Sequence, residues 1–289
     1  MDADAPESTA GDTPVSNVSD TARWVAVYRA TESARPDALF TDALAERLSG
    51  QHGRDIVARV PRTMRSGWWL VARTKVIDDL VLEAIDDGCD RVLNLAAGFD
   101  TRPYRLNLPS DFTWVEGDLP ALVAEKERML ADQTPRCKLT RHAVDLAEPV
   151  ARDRFLNEAL AGARKALVLT EGMLMYLESR DVAALSESFA RPEVAWWMLD
   201  LAGPGLKKFM NDKMGGMLAN APFKFAPANG VGYFEDLGWR TLEVESVFDA
   251  ALRFRRLPWF YRLVAGLHHP DPRHPPEQRP WSAVIRLTR

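Results

Sequence analysis

The sequence predicts an α/β fold, a doubly wound sheet of seven strands, mostly parallel, behind an N-terminal helical cap. Three observations predict it. Seven short apolar runs follow one another from Arg91 to the C-terminus, at 91–95, 112–115, 137–144, 166–170, 194–201, 240–247 and 282–287. Helix-like segments at 120–131, 152–160 and 180–189 separate the middle runs, the alternation of a parallel sheet covered on both faces. Ahead of Gly88 the apolar residues recur every three or four positions instead, which is helical spacing.

Taken in order, residues 1–20 are acidic and rich in Ser, Thr, Ala and Pro, a composition expected of a disordered lead-in rather than a signal peptide. Residues 21–289 then read as one domain. The cap spans 21–88. Trp24, Val25, Tyr28, Leu39, Phe40, Leu44 and Leu48 mark its first helical part, and Trp69, Leu70, Val76, Ile77, Leu80 and Val81 its last. A nucleoside-binding core is expected over 89–202. Residues 203–232 interrupt the alternation with Gly203 and Gly232 at their ends and Met210, Met214 and Met217 between. They are read as a lid-like insertion or a loosely packed helix pair. The last two runs, within 233–289, have no evident helical crossover and predict an antiparallel partner at the end of the sheet. The segment 268–280 between them is rich in Pro and His.

Composition narrows the function. The chain has 289 residues, 46% hydrophobic and 27% charged, with a net charge of −4, which argues against a dedicated nucleic-acid binder. The local cluster Arg253, Arg255, Arg256 and Arg262 reads as a solvated face. No apolar run reaches the roughly 18 residues of a membrane span. The two cysteines, Cys89 and Cys137, make neither a disulfide framework nor a metal-ligand spacing, and a cytoplasmic location is expected.

The chemistry concentrates after the first apolar run. Leu95 leads into Ala96, Ala97 and Gly98, side chains small enough for a ligand to approach the backbone at the carboxyl end of a strand. About twenty residues on, the second run leads to Glu116 and Asp118. Asp118 is the first candidate, and Glu116 the second, for accepting hydrogen bonds from ribose hydroxyls. A dinucleotide loop needs more glycines and an anion-seeking helix end. Asp100 would repel a phosphate, but suits a ligand carrying an ammonium and a sulfonium. The charge pattern therefore points to S-adenosyl-L-methionine. Asp100 has a second reading, as a cap of the next helix, and Arg102 reads as an ion-pairing or loop-fixing residue.

Seven motifs in order carry a family resemblance: Ser19-Asp-Thr-Ala-Arg23, Arg29-Ala-Thr-Glu-Ser33, Val71-Ala-Arg-Thr-Lys75 with Asp78-Asp79, Ala97-Gly-Phe-Asp-Thr-Arg102, Val115-Glu-Gly-Asp-Leu-Pro120, Val144-Asp-Leu146, and Leu169-Thr-Glu-Gly-Met-Leu-Met-Tyr-Leu177. The chain resembles the leucine carboxyl methyltransferases and the tetracenomycin-type polyketide O-methyltransferases. It departs from them at Ala96, where relatives commonly have a glycine, and matches less well in its C-terminal third. The resemblance implies the class I methyltransferase fold and roles for particular residues. Arg73 would hold the methionyl carboxylate of the donor. Ala97, Gly98 and their neighbours would contact its methionyl and ribose portions. Asp145 would accept from the adenine amine while Leu146 packs on the ring, and Glu171 would accept from the ammonium group. Taken alone, Arg73 reads first as a surface arginine and Tyr176 as packing rather than chemistry, and Asp145 has a second reading as a helix cap.

The implied activity is methyl transfer to a carboxylate or hydroxyl of a small molecule, polyketide-like or another secondary metabolite, without a metal. No nucleic-acid or membrane partner is expected. A catalytically silent S-adenosylmethionine-binding protein would carry the same ligand residues and is the alternative. A hydroxyl acceptor would profit from a general base. His142, His268, His269 and His274, then Glu171, are the candidates, and none is assigned a catalytic role. Met173, Met210, Met214, Met217, Phe223 and Phe225 read as an acceptor wall or as ordinary core.

Overall fold

The computed structural model describes residues 18–264, 271–273 and 278–289. The cap consists of α1 (Val18–Ser33), α2 (Ala45–Arg59, broken at Gly50) and α3 (Trp68–Asp86). The core alternates β1 (Arg91–Leu95), α4 (Arg102–Arg105), β2 (Thr113–Asp118), α5 (Pro120–Met129), β3 (Lys138–Ala143), α6 (Pro149–Leu160), β4 (Ala166–Thr170), α7 (Ser179–Ser188) and β5 (Val194–Ala202). Then come α8 (Pro204–Met214), α9 (Gly232–Asp236), β6 (Arg240–Ser246), α10 (Val247–Arg253), α11 (Trp259–Val264) and β7 (Ser282–Thr288).

The seven strands form one sheet in the order β3-β2-β1-β4-β5-β7-β6, and β7 runs antiparallel to both of its neighbours. The reversed strand therefore lies between β5 and β6 rather than at the sheet edge. Period-two alternation divides the strands between two cores. Val168, Trp197 and Leu199 pack with Phe155, Leu185, Phe189 and Phe234 on one face. Leu167, Leu169, Trp196 and Met198 pack with Val76, Leu80 and Val81 of α3 on the other. Three helices in the C-terminal region escape the sequence pattern, α9, α10 and α11. Ser246 caps α10, its Oγ accepting from the Asp249 N–H at 3.2 Å.

The chain moves outward from β1 to β3 and then returns to place β4 on the other side of β1. At that switch the connecting segments part, and a crevice opens beyond the carboxyl ends of β1 and β4. The segment 203–232 holds helix α8 and packs against the cap: Met210, Met214, Leu218 and Phe223 share a cluster with Trp24, Tyr28 and Val71. Residues 1–17 of the expected lead-in, and the histidines at 268, 269 and 274, lie outside the described residues.

Candidate functional site

A cavity of about 200 Å³ occupies the crevice. Its floor is the turn after β1, with Ala96, Ala97, Gly98, Phe99 and Asp100, together with Asp118 at the end of β2. Glu171, Gly172, Met173, Tyr176 and Leu177 after β4 form one side. Thr21, Val25 and Arg29 of α1 and Arg73 of α3 close it from the cap.

The β1 turn is shaped by two left-handed residues, Ala96 at φ +52° and Gly98 at φ +50°. Glycine adopts this region without cost, whereas an L side chain pays about 1–2 kcal/mol, so the departure at Ala96 carries strain. At Gly98 a Cβ would stand 3.2 Å from the Ala22 methyl of α1, so the glycine also lets the cap come close. The Gly98 N–H donates to Asp118 Oδ2 at 2.6 Å, and the Leu119 N–H donates to Oδ1 at 2.7 Å. Burial raises the Asp118 carboxyl above its ordinary range, more than these two N–H groups lower it.

Beneath this turn runs a buried charge network. Arg102, only 2% exposed, donates through Nε to Asp78 at 2.7 Å and through Nη1 to Asp100 at 2.8 Å and Glu171 at 2.7 Å. Arg105 also holds Asp78, at 2.6 Å. Asp100 further accepts from Asn94 at 2.7 Å and from the Arg102 N–H at 2.8 Å. It is thus both a brace for the start of α4 and part of the cavity wall. Arg73 donates through Nε to Glu171 at 3.1 Å and through Nη1 to Asp200 at 2.8 Å. Burial pushes both Asp100 and Glu171 toward the neutral form, but the neighbouring guanidiniums, Arg102 foremost, outweigh it and hold both below their ordinary range. Burial pushes the Tyr176 phenol up to about 12.

The fold thus brings together Arg73, Ala97, Gly98, Asp100, Asp118 and Glu171. Arg73 is buried and doubly ion-paired rather than a surface arginine. Asp145 and Leu146 are not among the cavity-lining residues. Asp145 is exposed and its Oδ1 accepts from the Ala147 N–H at 2.9 Å, while Leu146 packs in the sheet core. Glu116, the second ribose candidate, is buried and accepts from Lys126 and Arg141, each at 2.8 Å. Of the expected acceptor wall only Met173 lines the cavity. Met210, Met214, Met217 and Phe223 pack against the cap and Phe225 in the sheet core. His142 stacks edge-on against Phe155 at 5.3 Å, away from the cavity wall. Among the described residues no cluster suits a metal ion.

Three contributors are not evident from sequence reasoning: Asn94, Arg29 and Asp200. Arg29 lines the cavity, donates to the Phe99 carbonyl at 2.5 Å and lies 2.9 Å from Asp42. Asp200 gave a signal, as the one charge in the run Trp196-Trp-Met-Leu-Asp-Leu-Ala202.

Strand order, the glycine turn after β1 and the acidic end of β2 define an α/β protein with the class I methyltransferase architecture. The same fold recurs in a solved Thermobifida fusca protein provisionally named a methyltransferase, 16% identical, with 96% of this chain and 97% of that chain covered and a TM-score of 0.55. It recurs too in a DUF574 family protein of Streptomyces avermitilis, 15% identical, covering 92% and 96%, with a TM-score of 0.54. The leucine carboxyl methyltransferase family model matches residues 22–190. A Parafrankia protein, provisionally named an S-adenosyl-L-methionine-dependent methyltransferase, is 32% identical over 266 residues, 82% of each chain. A Frankia alni protein of the same provisional name is 32% identical over 268 residues, 86% of this chain and 91% of that one. The chain belongs to the leucine carboxyl methyltransferase family, and it is a methyltransferase.

Proposed function

We propose that the protein transfers a methyl group to an oxygen of a small-molecule acceptor, a carboxylate in preference to a neutral hydroxyl. The methyl donor is S-adenosyl-L-methionine, the cofactor in its relatives' name. One observation carries the assignment of the site: the charge of the cavity wall. Its two guanidiniums, Arg29 and Arg73, stand against three carboxylates, Asp100, Asp118 and Glu171, for a net charge of −1. The donor carries a carboxylate, an ammonium and a sulfonium, and so a net charge of +1. A dinucleotide would bring its diphosphate against the same carboxylates.

In this reading Arg73 holds the donor's carboxylate through a charge-assisted contact and Glu171 accepts from its ammonium. Asp118 accepts from the ribose, and Ala97 and Gly98 let the sugar lie against the backbone. The existing ion pairs need not be dismantled, because each carboxylate oxygen has a second lone pair. Asp145 and Leu146, at the end of β3 beside β2, are the proposed contacts of the adenine.

The bound donor supplies a methyl group already activated by its sulfonium charge. The chain's own task is to align the acceptor oxygen and exclude water, for which the cap helix and the apolar wall of Val25, Met173 and Leu177 are suited. A carboxylate acceptor is ionised at neutral pH and needs no proton removed. Asp100 and Glu171 are held by guanidiniums as ion-pair partners, which makes them weak bases, and Tyr176 ionises only near 12. The test is a screen with isotopically labelled methyl donor against acceptors matched as acid and alcohol, read by mass spectrometry. Base-labile methyl esters are expected. Base-stable ethers would overturn the carboxylate reading, and donor binding without transfer to any acceptor would favour a silent binding protein.

A further inference from the structure

Asp200 is not among the residues lining the cavity, yet both of its oxygens act on residues that are. Oδ2 accepts from Arg73 Nη1 at 2.8 Å and Oδ1 from the Gly172 N–H at 2.7 Å. The residue is buried near the carboxyl end of β5, one position beyond Leu199, which pairs with Thr170 at the end of β4, and it pairs with Val284 of β7 on its other side. Its backbone is therefore fixed by strands on both flanks. A carboxylate buried in an otherwise apolar strand is expensive unless its partners compensate it. Those partners are the two elements that shape the amino-acid end of the proposed donor site.

The consequences differ for each partner. With Nε on Glu171 and Nη1 on Asp200, the plane of the Arg73 guanidinium is set from two directions. Nη2 is left toward Gly172, where an added Cβ would stand 3.7 Å away, and it makes no hydrogen bond among the described residues. Gly172 itself turns at φ +65°, and the bond from its N–H to Asp200 fixes the direction of the turn that carries Glu171. One buried carboxylate thus orients both a guanidinium and a neighbouring carboxylate.

We infer that Asp200 is a positioning residue for the methionyl end of the methyl donor. It acts through Arg73 and the Glu171–Gly172 turn, and the inference rests on the donor site proposed above. Loss of its charge has two opposed effects. A negative charge near the donor's carboxylate disappears, but so does the anchor of the guanidinium. The second effect wins, because a two-pronged guanidinium–carboxylate contact depends on planar alignment, while the Asp200 charge is already balanced by Arg73 at 2.8 Å.

The test uses the full-length protein and two probes. S-adenosylhomocysteine carries the amino-acid end, and 5′-methylthioadenosine has a similar nucleoside without it. By calorimetry, Asp200→Asn is expected to bind S-adenosylhomocysteine about tenfold more weakly and methylthioadenosine with unchanged affinity. Equal weakening of both would make Asp200 merely structural, and no change in either would leave it without a role; both results overturn the inference. If Asp200→Asn does not fold, Asp200→Glu, which keeps the charge and shifts it by one methylene, carries the same two readouts. A wild-type chain that binds neither probe overturns the donor site itself, a result distinct from the others.

Discussion

The carboxyl ends of β1, β4 and β5 and the carboxyl end of β3 belong to one sheet edge but carry charge in different ways. At the first, Asp100 and Asp200 are buried and Glu171 is half-buried. Asp100 accepts from its near neighbour Arg102, and Glu171 and Asp200 accept from arginines distant in the chain. At the second, Asp145 is exposed and accepts from a backbone N–H two residues on. Burial accounts for the difference. A carboxylate withdrawn from water must be matched by a cation or by several N–H groups, whereas an exposed one is solvated and is left to local turn chemistry. The lesson is that the methionyl half of the proposed site is preorganised by long-range ion pairs, while the proposed adenine half is held only locally.

The largest expected effect tests the buried half. Arg102→Met would leave Asp78, Asp100 and Glu171 without their shared partner and should lower unfolding stability by about 3–5 kcal/mol in urea titrations. A loss below about 1 kcal/mol would mean that the network contributes no more than surface pairs do. The pH dependence follows from the same groups. Asp100 and Glu171 lie below their ordinary range in the folded chain, so their contribution is fully present above the ordinary carboxylate pKa of about 4. It is lost as pH falls through the depressed folded values. Circular dichroism should therefore show acid unfolding setting in below about pH 4. In Arg102→Met, Arg105 still holds Asp78 and Arg73 still holds Glu171, but Asp100 is left without an arginine partner. The buried Asp100 carboxylate should then instead make the protein more stable as pH falls from neutral toward 5.

A smaller effect is expected at Asp118, whose partners are backbone N–H groups rather than arginines. Asp118→Asn should weaken S-adenosylhomocysteine binding about tenfold, roughly 1.4 kcal/mol. In the wild type, affinity requires the ionised carboxylate and should fall as pH drops through its raised pKa. The variant should lack that dependence in calorimetry. Smaller still, Ala96→Gly should raise stability by about 0.5–1 kcal/mol by relieving the left-handed alanine, net of the entropy glycine costs. A destabilised variant would show that the methyl group packs better than its backbone suffers. Asp145→Ala should change stability by about 0.5 kcal/mol or less, because the residue is exposed. A stability loss as large as that of Arg102→Met would erase the contrast between the two halves.

Much of this was legible in the chain. The strands at 91–95 and 166–170 coincide with their apolar runs, because strands buried on both faces read as continuous hydrophobic sequence. The turn of Ala97 and Gly98 and the acidic end of β2 were legible too, since small residues after a strand and a carboxylate at a strand end are local features. The helices α10 and α11 were not: at seven and six residues each offers too short a period to stand out. The methionines of α8 gave no means of telling a pocket wall from a core, because apolar side chains look alike in either place.

The sequence by itself determined the α/β alternation, the glycine turn and the sign of charge gathered around it, because each is written in neighbouring residues. Only the tertiary structure decided which charges are partners. Arg73 meets Glu171 and Asp200, 98 and 127 positions away, and Arg102 joins Asp78 to Glu171. The choice between Asp118 and Glu116 for the cavity was settled by the same cause, as Lys126 and Arg141 claim the latter. Ion pairing in a low-dielectric interior depends on distances between side chains that only the folded chain brings together, and spacing along the sequence does not record them.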